Sequence, residues 1–280
     1  MAYRKEGVAF FSNCQKLGVH AATLMKMATK IAITYEKGGV GKTTTAVNVS
    51  AILAEKGYKV LLVDLDLQSY ATSYFDMYDD TLPCIYEVMC EDNPATAEDA
   101  IRPTGIENLD ILPSNYRFRK METVLMMKTK RQEYTLKKCL SPIEEKYDFI
   151  IFDNPPNGDR IKENALAYVD YLILPTIPDD NALHGLMCLS TEIVDVKEDV
   201  NPQLSVLGVL VTLDENTRNK NAYRQVLQEQ DIFPAFQTTI RKNTYLSEAR
   251  NSHIPINIYD KKSHGYKDYL ALTEEILSKL

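Results

Sequence analysis

Residues 37–44 form a glycine-rich segment that ends in Gly-Lys-Thr-Thr and directly follows an apolar run. Gly38, Gly39 and Gly41 lack a Cβ, so the chain can curl and point successive backbone N–H groups at one anion. A helix that begins near Lys42 would add the partial positive charge of its N-terminus. Lys42 can then reach the β- and γ-phosphates of a nucleotide, and the Thr43 hydroxyl can ligate Mg²⁺. The segment therefore predicts a phosphate-binding loop made of Lys37, Gly38, Gly39, Val40, Gly41, Lys42, Thr43 and Thr44.

Two positions in this loop depart from the usual pattern G-x-x-x-x-G-K-[ST]. Glu36 stands where that pattern has its first glycine, and Lys37 adds a second lysine at the loop entrance. Because Lys42 already serves the loop's own nucleotide, Lys37 is better placed to act on a nucleotide bound by another copy of the chain, as an arginine finger acts in trans. The two lysines therefore indicate a homodimer. The alternative for Lys37 is a solvated surface side chain.

Three aspartates follow apolar runs and could serve phosphate chemistry. Asp153 ends the run Phe149–Asp153, a position from which a carboxylate can hold a magnesium-bound water. Asp64 and Asp66 lie two residues apart at the end of another run, so their side chains point the same way if a strand continues through them. These carboxylates suit in-line attack of water on a γ-phosphate, with Mg²⁺ and the lysines neutralising charge.

Apolar, β-branched runs alternate with helix-forming segments along most of the chain. Their near-continuous hydrophobicity is typical of parallel strands that are buried on both faces. The predicted strands are Lys30–Tyr35, Lys59–Asp64, Leu109–Leu112, Phe149–Asp153, Tyr171–Leu174 and Ser205–Val211. The repeated β-then-α units predict an α/β fold with a doubly wound, mostly parallel sheet flanked by helices, of the P-loop NTPase type. Ligands of such folds bind at the carboxyl ends of the strands, where the loop and the aspartates fall.

Composition fits one large domain of this kind. The chain has 280 residues, of which 45% are hydrophobic and 25% charged, and its formal net charge is −7. That charge argues against a strongly basic surface but leaves room for a local DNA-binding patch. The five cysteines are scattered without a C-x-x-C pair, which favours reduced thiols in a cytoplasmic protein. No apolar run approaches the length of about 18–20 residues that a membrane span needs.

The segment before the first strand is expected to stand apart from the domain. Residues 1–26 contain the short apolar run Val8–Phe11, which is too short for a signal peptide. We expect this segment to be poorly ordered or the product of an upstream start site, with a short regulatory arm as the alternative. Residues 27–280 are predicted to form a single P-loop ATPase domain.

The motif K-G-G-V-G-K-T-T at residues 37–44 resembles the deviant Walker A box of the ParA/MinD ATPases, which include Soj-like partition proteins, septum-site ATPases and nitrogenase iron protein. The resemblance runs from about residue 28 to the end and is greatest to the Soj/ParA branch. Lys59–Asp66 resembles the family's second strand and first switch, although Leu67 replaces the usual proline. Tyr147–Pro156 resembles the Walker B strand and second switch. Leu207–Asp214 and Ile240–Ala249 resemble the C-terminal half of partition proteins.

This resemblance assigns roles to individual residues. It implies ATP and Mg²⁺ as ligands, a nucleotide-sandwich homodimer in which Lys37 acts across the interface, and Asp66 as the residue that orients the attacking water. Asp64 would then be structural or lie behind the magnesium. The adenine would be flanked by the Pro175 loop and by the segment 240–243, and the implied contacts are Pro175, Asp214, Arg241 and Asn243.

The resemblance also implies a function in DNA segregation. The ATP-bound dimer would bind double-stranded DNA without sequence preference, and a ParB-like, centromere-binding partner would stimulate hydrolysis. Basic residues of the C-terminal third could contact phosphates, and Arg218, Arg241 and Lys242 are the chosen candidates. Solvated helix faces are the alternative. Tyr245 stands where Soj-like proteins often have an arginine. Such a protein would be cytoplasmic, would associate with the nucleoid when ATP-bound, and would not bind a membrane.

Two other functions share the motif. A MinD-like positioning ATPase would need a basic amphipathic helix at its C-terminus, whereas Asp268–Leu280 carries Glu274 and Glu275. A non-catalytic regulator of a mobile element would keep the fold and lose turnover. The complete set of Lys37, Lys42, Thr43, Asp66 and Asp153 argues against that reading.

Overall fold

The computed structural model of the protein describes residues 27–91, 94–128, 130–156, 159–215 and 217–280. Residues 1–26, for which the sequence predicts an extension or a start-site artefact, lie outside the described residues. The described part of the chain contains one seven-stranded sheet with helices on both faces, so the predicted α/β class is confirmed.

The sheet has the strand order β3-β4-β2-β5-β1-β6-β7. Every neighbouring pair is parallel except β3 and β4. The strands are β1 (Thr29–Ile33), β2 (Val60–Asp64), β3 (Arg102–Pro103), β4 (Leu109–Leu112), β5 (Phe149–Asp153), β6 (Tyr171–Thr176) and β7 (Ser205–Val211). Since β2, β5, β1 and β6 lie side by side, the loops that follow them meet at one edge of the sheet.

The α-helices fill the connections between strands. In chain order they are α1 (Lys42–Glu55), α2 (Tyr70–Tyr74), α3 (Ile85–Met89), α4 (Ala97–Ala100), α5 (Met121–Met127), α6 (Thr135–Leu140), α7 (Asp159–Leu166), α8 (Ala182–Asp199), α9 (Arg218–Glu229), α10 (Thr244–Asn251), α11 (Ile256–Tyr259) and α12 (His264–Lys279). Short 3₁₀ segments cover Tyr116–Lys120, Gln132–Tyr134 and Ser141–Lys146.

Alternate strand residues enter two separate hydrophobic cores, one on each face of the sheet. In β5, Ile150 and Phe152 pack with α7 and α8 on one face. Ile151 packs on the other face with α1 and α12. A strand side chain points to the opposite face from its neighbours, so each central strand contributes to both cores. This two-sided burial explains the unbroken apolar runs of the sequence.

The sequence pattern also predicts long helices over Tyr116–Lys130 and Glu133–Glu145, and both are shorter and broken in the structure. The segment 116–130 contains a 3₁₀ turn followed by α5, and the segment 133–145 contains α6 between two 3₁₀ segments. Pro142 lies in the first turn of the third 3₁₀ segment, and a proline there cannot continue the hydrogen-bond ladder of α6. Helices therefore form in the predicted parts of the chain, but they are shorter than predicted.

Candidate nucleotide-binding site

The glycine-rich loop joins β1 to α1 through backbone conformations that glycine adopts without strain. Gly39 has a φ of 75° and Gly41 a φ of 85°, both in the left-handed region. No side chain caps the N-terminus of α1, so the amides of its first turn remain available to an anion. The loop therefore has the shape that the sequence predicted, and the requirement for glycine lies chiefly at Gly39 and Gly41.

Lys42 begins α1 with its side chain held inside the loop. Its Nζ donates to the Lys37 carbonyl oxygen at 3.0 Å, and the residue is 8% exposed. Burial lowers the pKa of Lys42, whereas the negative charges of Asp153 and Asp66 raise it. The ammonium group thus lies among carboxylates at the mouth of the loop, where it can neutralise a bound phosphate.

Asp153 is a buried carboxylate that has no hydrogen-bond partner. It ends β5 opposite Asp64 in the parallel register, and neither of its oxygens is hydrogen-bonded to a described residue. Burial and the neighbouring charges of Asp64 and Asp66 raise the pKa of Asp153 well above its usual range, while the nearby Thr43 hydroxyl and Lys42 oppose that rise. A buried carboxylate without a hydrogen-bond partner lowers the stability of the fold unless a cation or its bound water interacts with it.

These residues fit a magnesium ion. Thr43 and Asp153 supply the hard oxygen atoms that Mg²⁺ prefers, and this ion normally keeps several waters and takes other ligands from phosphates. Among the described residues no cluster of three or more His, Cys, Asp or Glu side chains could hold a metal by itself. The expected arrangement is therefore Thr43 as a direct ligand and Asp153 acting through water.

Asp64 organises the loop that carries Asp66. The Asp66 N–H donates to Asp64 Oδ1 at 2.9 Å, and both the N–H and the hydroxyl of Thr72 donate to Asp64 Oδ2 at 2.7 Å. The strand ends at Asp64, as predicted, so the condition under which the Asp64 and Asp66 side chains would point the same way, a strand that continues through both, is not met. An aspartate can bind the amide two residues ahead and so turn the chain. The structural role considered for Asp64 agrees with these contacts.

Asp66 lies on the resulting turn, 5% exposed, beside Lys42. The Gln68 N–H donates to Asp66 Oδ1 at 3.1 Å. Burial raises the pKa of Asp66, while the Gln68 hydrogen bond and the Lys42 charge lower it. A carboxylate that keeps one oxygen free beside the loop lysine can accept a proton or orient a water molecule.

Arg119 secures this turn from outside, a role that the sequence did not reveal. Its Nε donates to the Leu67 carbonyl at 3.1 Å and its guanidinium to Gln68 Oε1 at 2.9 Å. Because residue 67 is a leucine and not a proline, the contact to its carbonyl stabilises a turn that has no rigid ring of its own. Arg119 follows β4 in a 3₁₀ segment and carries no motif that would identify it.

The loop entrance is tied to the start of α8 and to α7. The Tyr35 hydroxyl donates to the Ala182 carbonyl at 3.1 Å, and Lys37 forms an ion pair with Asp179. Glu36 lies 3.7 Å from Lys162, which also pairs with Glu192 at 2.8 Å. Lys37 is therefore paired within its own chain and not simply solvated.

The opposite side of the loop faces the end of β7. The Thr212 hydroxyl donates to the Val40 carbonyl at 2.8 Å. Two residues later, Asp214 accepts from Arg224 at 2.6 Å and from Thr239 at 3.1 Å through Oδ2, whereas its buried Oδ1 has no partner among the described residues. A cavity of about 570 Å³ here is lined by Asp214, Arg241 and Asn243 among others.

Three of the four residues expected to contact adenine therefore line one cavity, and the fourth does not. Pro175 lies inside β6, buried and paired with Leu210, and not in a loop. A proline is tolerated there because β1 pairs with β6 only as far as Ile173 and needs no N–H from residue 175. Asn243 caps α10 by accepting from the Tyr245 N–H at 2.9 Å.

Most basic residues chosen as DNA contacts are paired with carboxylates. Arg241 bonds to Asp268, with Nε 2.9 Å from Oδ2. Lys242 pairs with Glu215 at 2.9 Å, as does Lys220 at 2.7 Å. The two lysines lower the pKa of Glu215 to about 2, so this carboxylate stays charged at neutral pH. Arg218 is exposed at the start of α9.

Comparison with known proteins identifies the family. A model described as AAA domain matches residues 28–206. The sporulation initiation inhibitor protein Soj of Bacillus subtilis is 38% identical over 255 residues, which cover 89% of this chain and 98% of Soj.

Solved structures give the same result. A plasmid partition protein of Borrelia burgdorferi bound to AMPPNP has a TM-score of 0.76 at 27% identity, covering 90% of this chain and 100% of that one. Cobyrinic acid a,c-diamide synthase of Mycobacterium smegmatis, with an ATP analogue and magnesium, has a TM-score of 0.78 at 29% identity, covering 89% and 94%. The chain therefore belongs to the family that this AAA domain model describes and to the ParA/MinD superfamily of P-loop ATPases, with Soj/ParA proteins among its relatives.

Proposed function

We propose that this protein is an ATPase that partitions plasmid or chromosomal DNA. The observation that carries the proposal is the meeting of Lys42, Thr43, Asp66 and the unpartnered Asp153 at one edge of the sheet. A lysine, a hydroxyl and two carboxylates around a glycine-rich loop are the groups that nucleotide hydrolysis requires. Soj and the Borrelia plasmid partition protein suggest DNA as the cargo.

In this proposal ATP binds to the amides of the loop and the first turn of α1, and Lys42 contacts its β- and γ-phosphates. Mg²⁺, held by Thr43 and through water by Asp153, neutralises charge that develops on the phosphates. Asp66 orients a water molecule for in-line attack on the γ-phosphorus, which releases ADP and phosphate. Asp214 and Asn243 lie on the base side of the loop, where the adenine would bind.

Lys37 supplies the step that depends on a second copy of the chain. It leaves Asp179 when two ATP-bound copies meet and contacts the partner's nucleotide, so that hydrolysis requires the homodimer. The exchange is inexpensive, because an exposed ion pair contributes only about 0–1 kcal/mol. The Lys37 side chain is 46% exposed in the structure and so is accessible to a partner.

The ATP dimer would bind double-stranded DNA without sequence preference, and a ParB-like DNA-binding protein would stimulate hydrolysis. The protein would then lie in the cytoplasm, associated with the nucleoid while ATP-bound. A MinD-like role at a membrane has less support, because Tyr269, Leu272 and Ile276 of α12 are buried in the core and not on a free amphipathic face. No helix in the described ranges is long and apolar enough to cross a membrane.

Sedimentation velocity with ATP, with ADP and without nucleotide tests the proposal. We expect dimers only with ATP, and we expect the K37A variant to bind ATP while dimerising or hydrolysing poorly. K59A, which removes an exposed lysine from the far edge of the sheet, is the matched control and should behave as wild type. A wild-type protein that binds ATP, stays monomeric and hydrolyses at the same rate at every protein concentration would contradict the dimer mechanism.

A further inference from the structure

One large cavity in the part of the chain that the structure describes is far from the phosphate loop. It has a volume of about 1060 Å³ and is bordered by the end of α3, by Lys128, by residues 130–139 and by Val200. Val200 follows α8 and leads into β7, and α6 leads into β5. The cavity therefore lies toward the amino ends of the strands, whereas the loop lysines and aspartates lie at the carboxyl ends.

This cavity is basic in an acidic protein. Its lining includes two acidic side chains, Glu91 and Glu133, against five cationic ones: Lys128, Lys130, Arg131, Lys137 and Lys138. The whole chain has a net charge of −7. Concentrating cations in one recess produces a local positive potential that the net charge does not reveal.

Four of these cations are available to a ligand. Lys128 pairs with Glu91 at 3.2 Å. The side chains of Lys130, Arg131, Lys137 and Lys138 are exposed and have no ion pair or side-chain hydrogen bond with the described residues. Four basic residues of the C-terminal third differ, because Lys220, Arg224, Arg241 and Lys242 each have a carboxylate partner.

We propose that the recess lined by Lys128 and by residues 130–139 is a contact surface for the sugar-phosphate backbone of DNA. This inference rests on the proposed DNA-partitioning function and names a surface that the sequence did not suggest. A phosphate gains more from four unpaired cations than from cations that carboxylates already neutralise. The contact is made by charge and by backbone, so it confers no sequence preference.

The position of this surface determines how DNA binding depends on ATP. Because it lies at the edge of the sheet opposite the nucleotide loop, ATP does not need to form it. A single protomer then binds DNA weakly at low salt whether or not nucleotide is present. Dimerisation strengthens binding by joining two such surfaces in one particle.

The test compares two variants that remove the same charge. K130Q/R131Q/K137Q/K138Q removes the four unpaired cations, and K56Q/K59Q/K261Q/K267Q removes four exposed lysines elsewhere. Binding to a labelled 30-base-pair duplex is measured across a salt series, with ATP and without nucleotide. Thermal melting and basal ATP hydrolysis serve as controls for folding, since none of the eight residues belongs to the nucleotide site.

For the first variant we expect the slope of log affinity against log salt concentration to fall by about 3–4 without nucleotide and by up to about 7 for the ATP dimer, since each lost phosphate contact removes roughly 0.9. The decrease should appear with and without nucleotide, and the second variant should keep the wild-type slope. A wild-type slope in the first variant, or equal losses in both variants, would overturn this surface while leaving the partition function standing. Failure of the wild-type protein to bind DNA under any condition would overturn both.

Discussion

At the scale of single residues, Lys42 is the charge on which nucleotide binding depends most. Its ammonium group is buried in the loop. It donates to the Lys37 carbonyl oxygen and lies near the carboxylates of Asp153 and Asp66. K42A should weaken ATP binding by about 100-fold or more, because it removes charge-assisted hydrogen bonds of about 1.5–3 kcal/mol each. Titration with fluorescently labelled ATP measures this loss, and K56A at the exposed end of the same helix is the control. Wild-type affinity in K42A would show that the loop is not the phosphate site.

Replacing Asp66 should slow ATP hydrolysis without weakening ATP binding. Its carboxylate is on the turn that Asp64 and Arg119 hold, and it accepts a hydrogen bond from the Gln68 N–H of that turn. D66A should bind ATP normally, hydrolyse it at least about 100-fold more slowly and accumulate as an ATP-bound dimer. Phosphate release and sedimentation on the same sample measure both effects. Unchanged turnover would move the water-orienting role to another residue.

The nucleotide-free protein should be less stable with Asp153 than with a neutral asparagine at this position. The pKa of Asp153 is raised in the fold, so its stabilising contribution is present below the pKa of the unfolded chain and is lost as pH rises through the folded pKa. D153N should therefore raise the melting temperature at pH 8 by roughly 2–6 °C, and by less at pH 5. The same variant should lose the stabilisation that Mg²⁺ adds to ATP. An equal or lower melting temperature at pH 8 would contradict the account of the unpartnered carboxylate.

At the scale of elements, the three residues before Gly38 connect the loop to α7 and to the start of α8. Tyr35 bonds to the Ala182 carbonyl, Glu36 approaches Lys162, and Lys37 pairs with Asp179. Gly185 makes this approach possible, because a Cβ there would overlap the Tyr35 hydroxyl. The position of Lys37 and the position of α8 are thus linked through short contacts.

Freeing Lys37 should favour the dimer. D179N removes the pair's charge, so less free energy opposes movement of Lys37 to a partner's nucleotide. The pair is exposed and contributes about 0.2–1 kcal/mol, and two such pairs are lost per dimer, which predicts a rise of about 2- to 30-fold in the dimerisation constant with ATP. D180N, at the neighbouring exposed residue, is the control. Sedimentation equilibrium measures the constant, and a weaker dimer in D179N would instead show that Asp179 helps the active arrangement.

The sequence predicted the strands, whose apolar residues follow a recognisable pattern of burial. It did not predict the turns and ion pairs that depend on tertiary contacts. Leu109–Leu112, Phe149–Asp153 and Ser205–Val211 have the predicted strand bounds, because their apolar runs are buried on both faces. The turn after Asp64 was missed because it depends on side-chain hydrogen bonds from Thr72. Arg119 and the ion pair of Lys37 were missed because their partners are 51 and 142 residues away in the chain.

At the scale of the whole molecule, the positions of the charged side chains matter more for DNA binding than the net charge does. The net charge of −7 would repel DNA if it were spread evenly. Instead, carboxylates pair with several basic residues of the C-terminal third, such as Arg224 and Lys242, while four unpaired cations line the recess at the amino edge of the sheet. Binding to DNA should therefore be weak in one copy and depend on joining two.

The most direct test of the partition function is DNA binding by the wild-type protein at about 150 mM salt with ATP, with ADP and without nucleotide. The account predicts appreciable binding only with ATP, little preference among duplex sequences, and a steep loss of affinity as salt rises, because phosphate contacts release counterions. Dimerisation is followed on the same samples by sedimentation. A catalytically active, ATP-dependent dimer that binds no DNA under any of these conditions would contradict DNA partitioning and would favour a cargo on a protein or membrane surface.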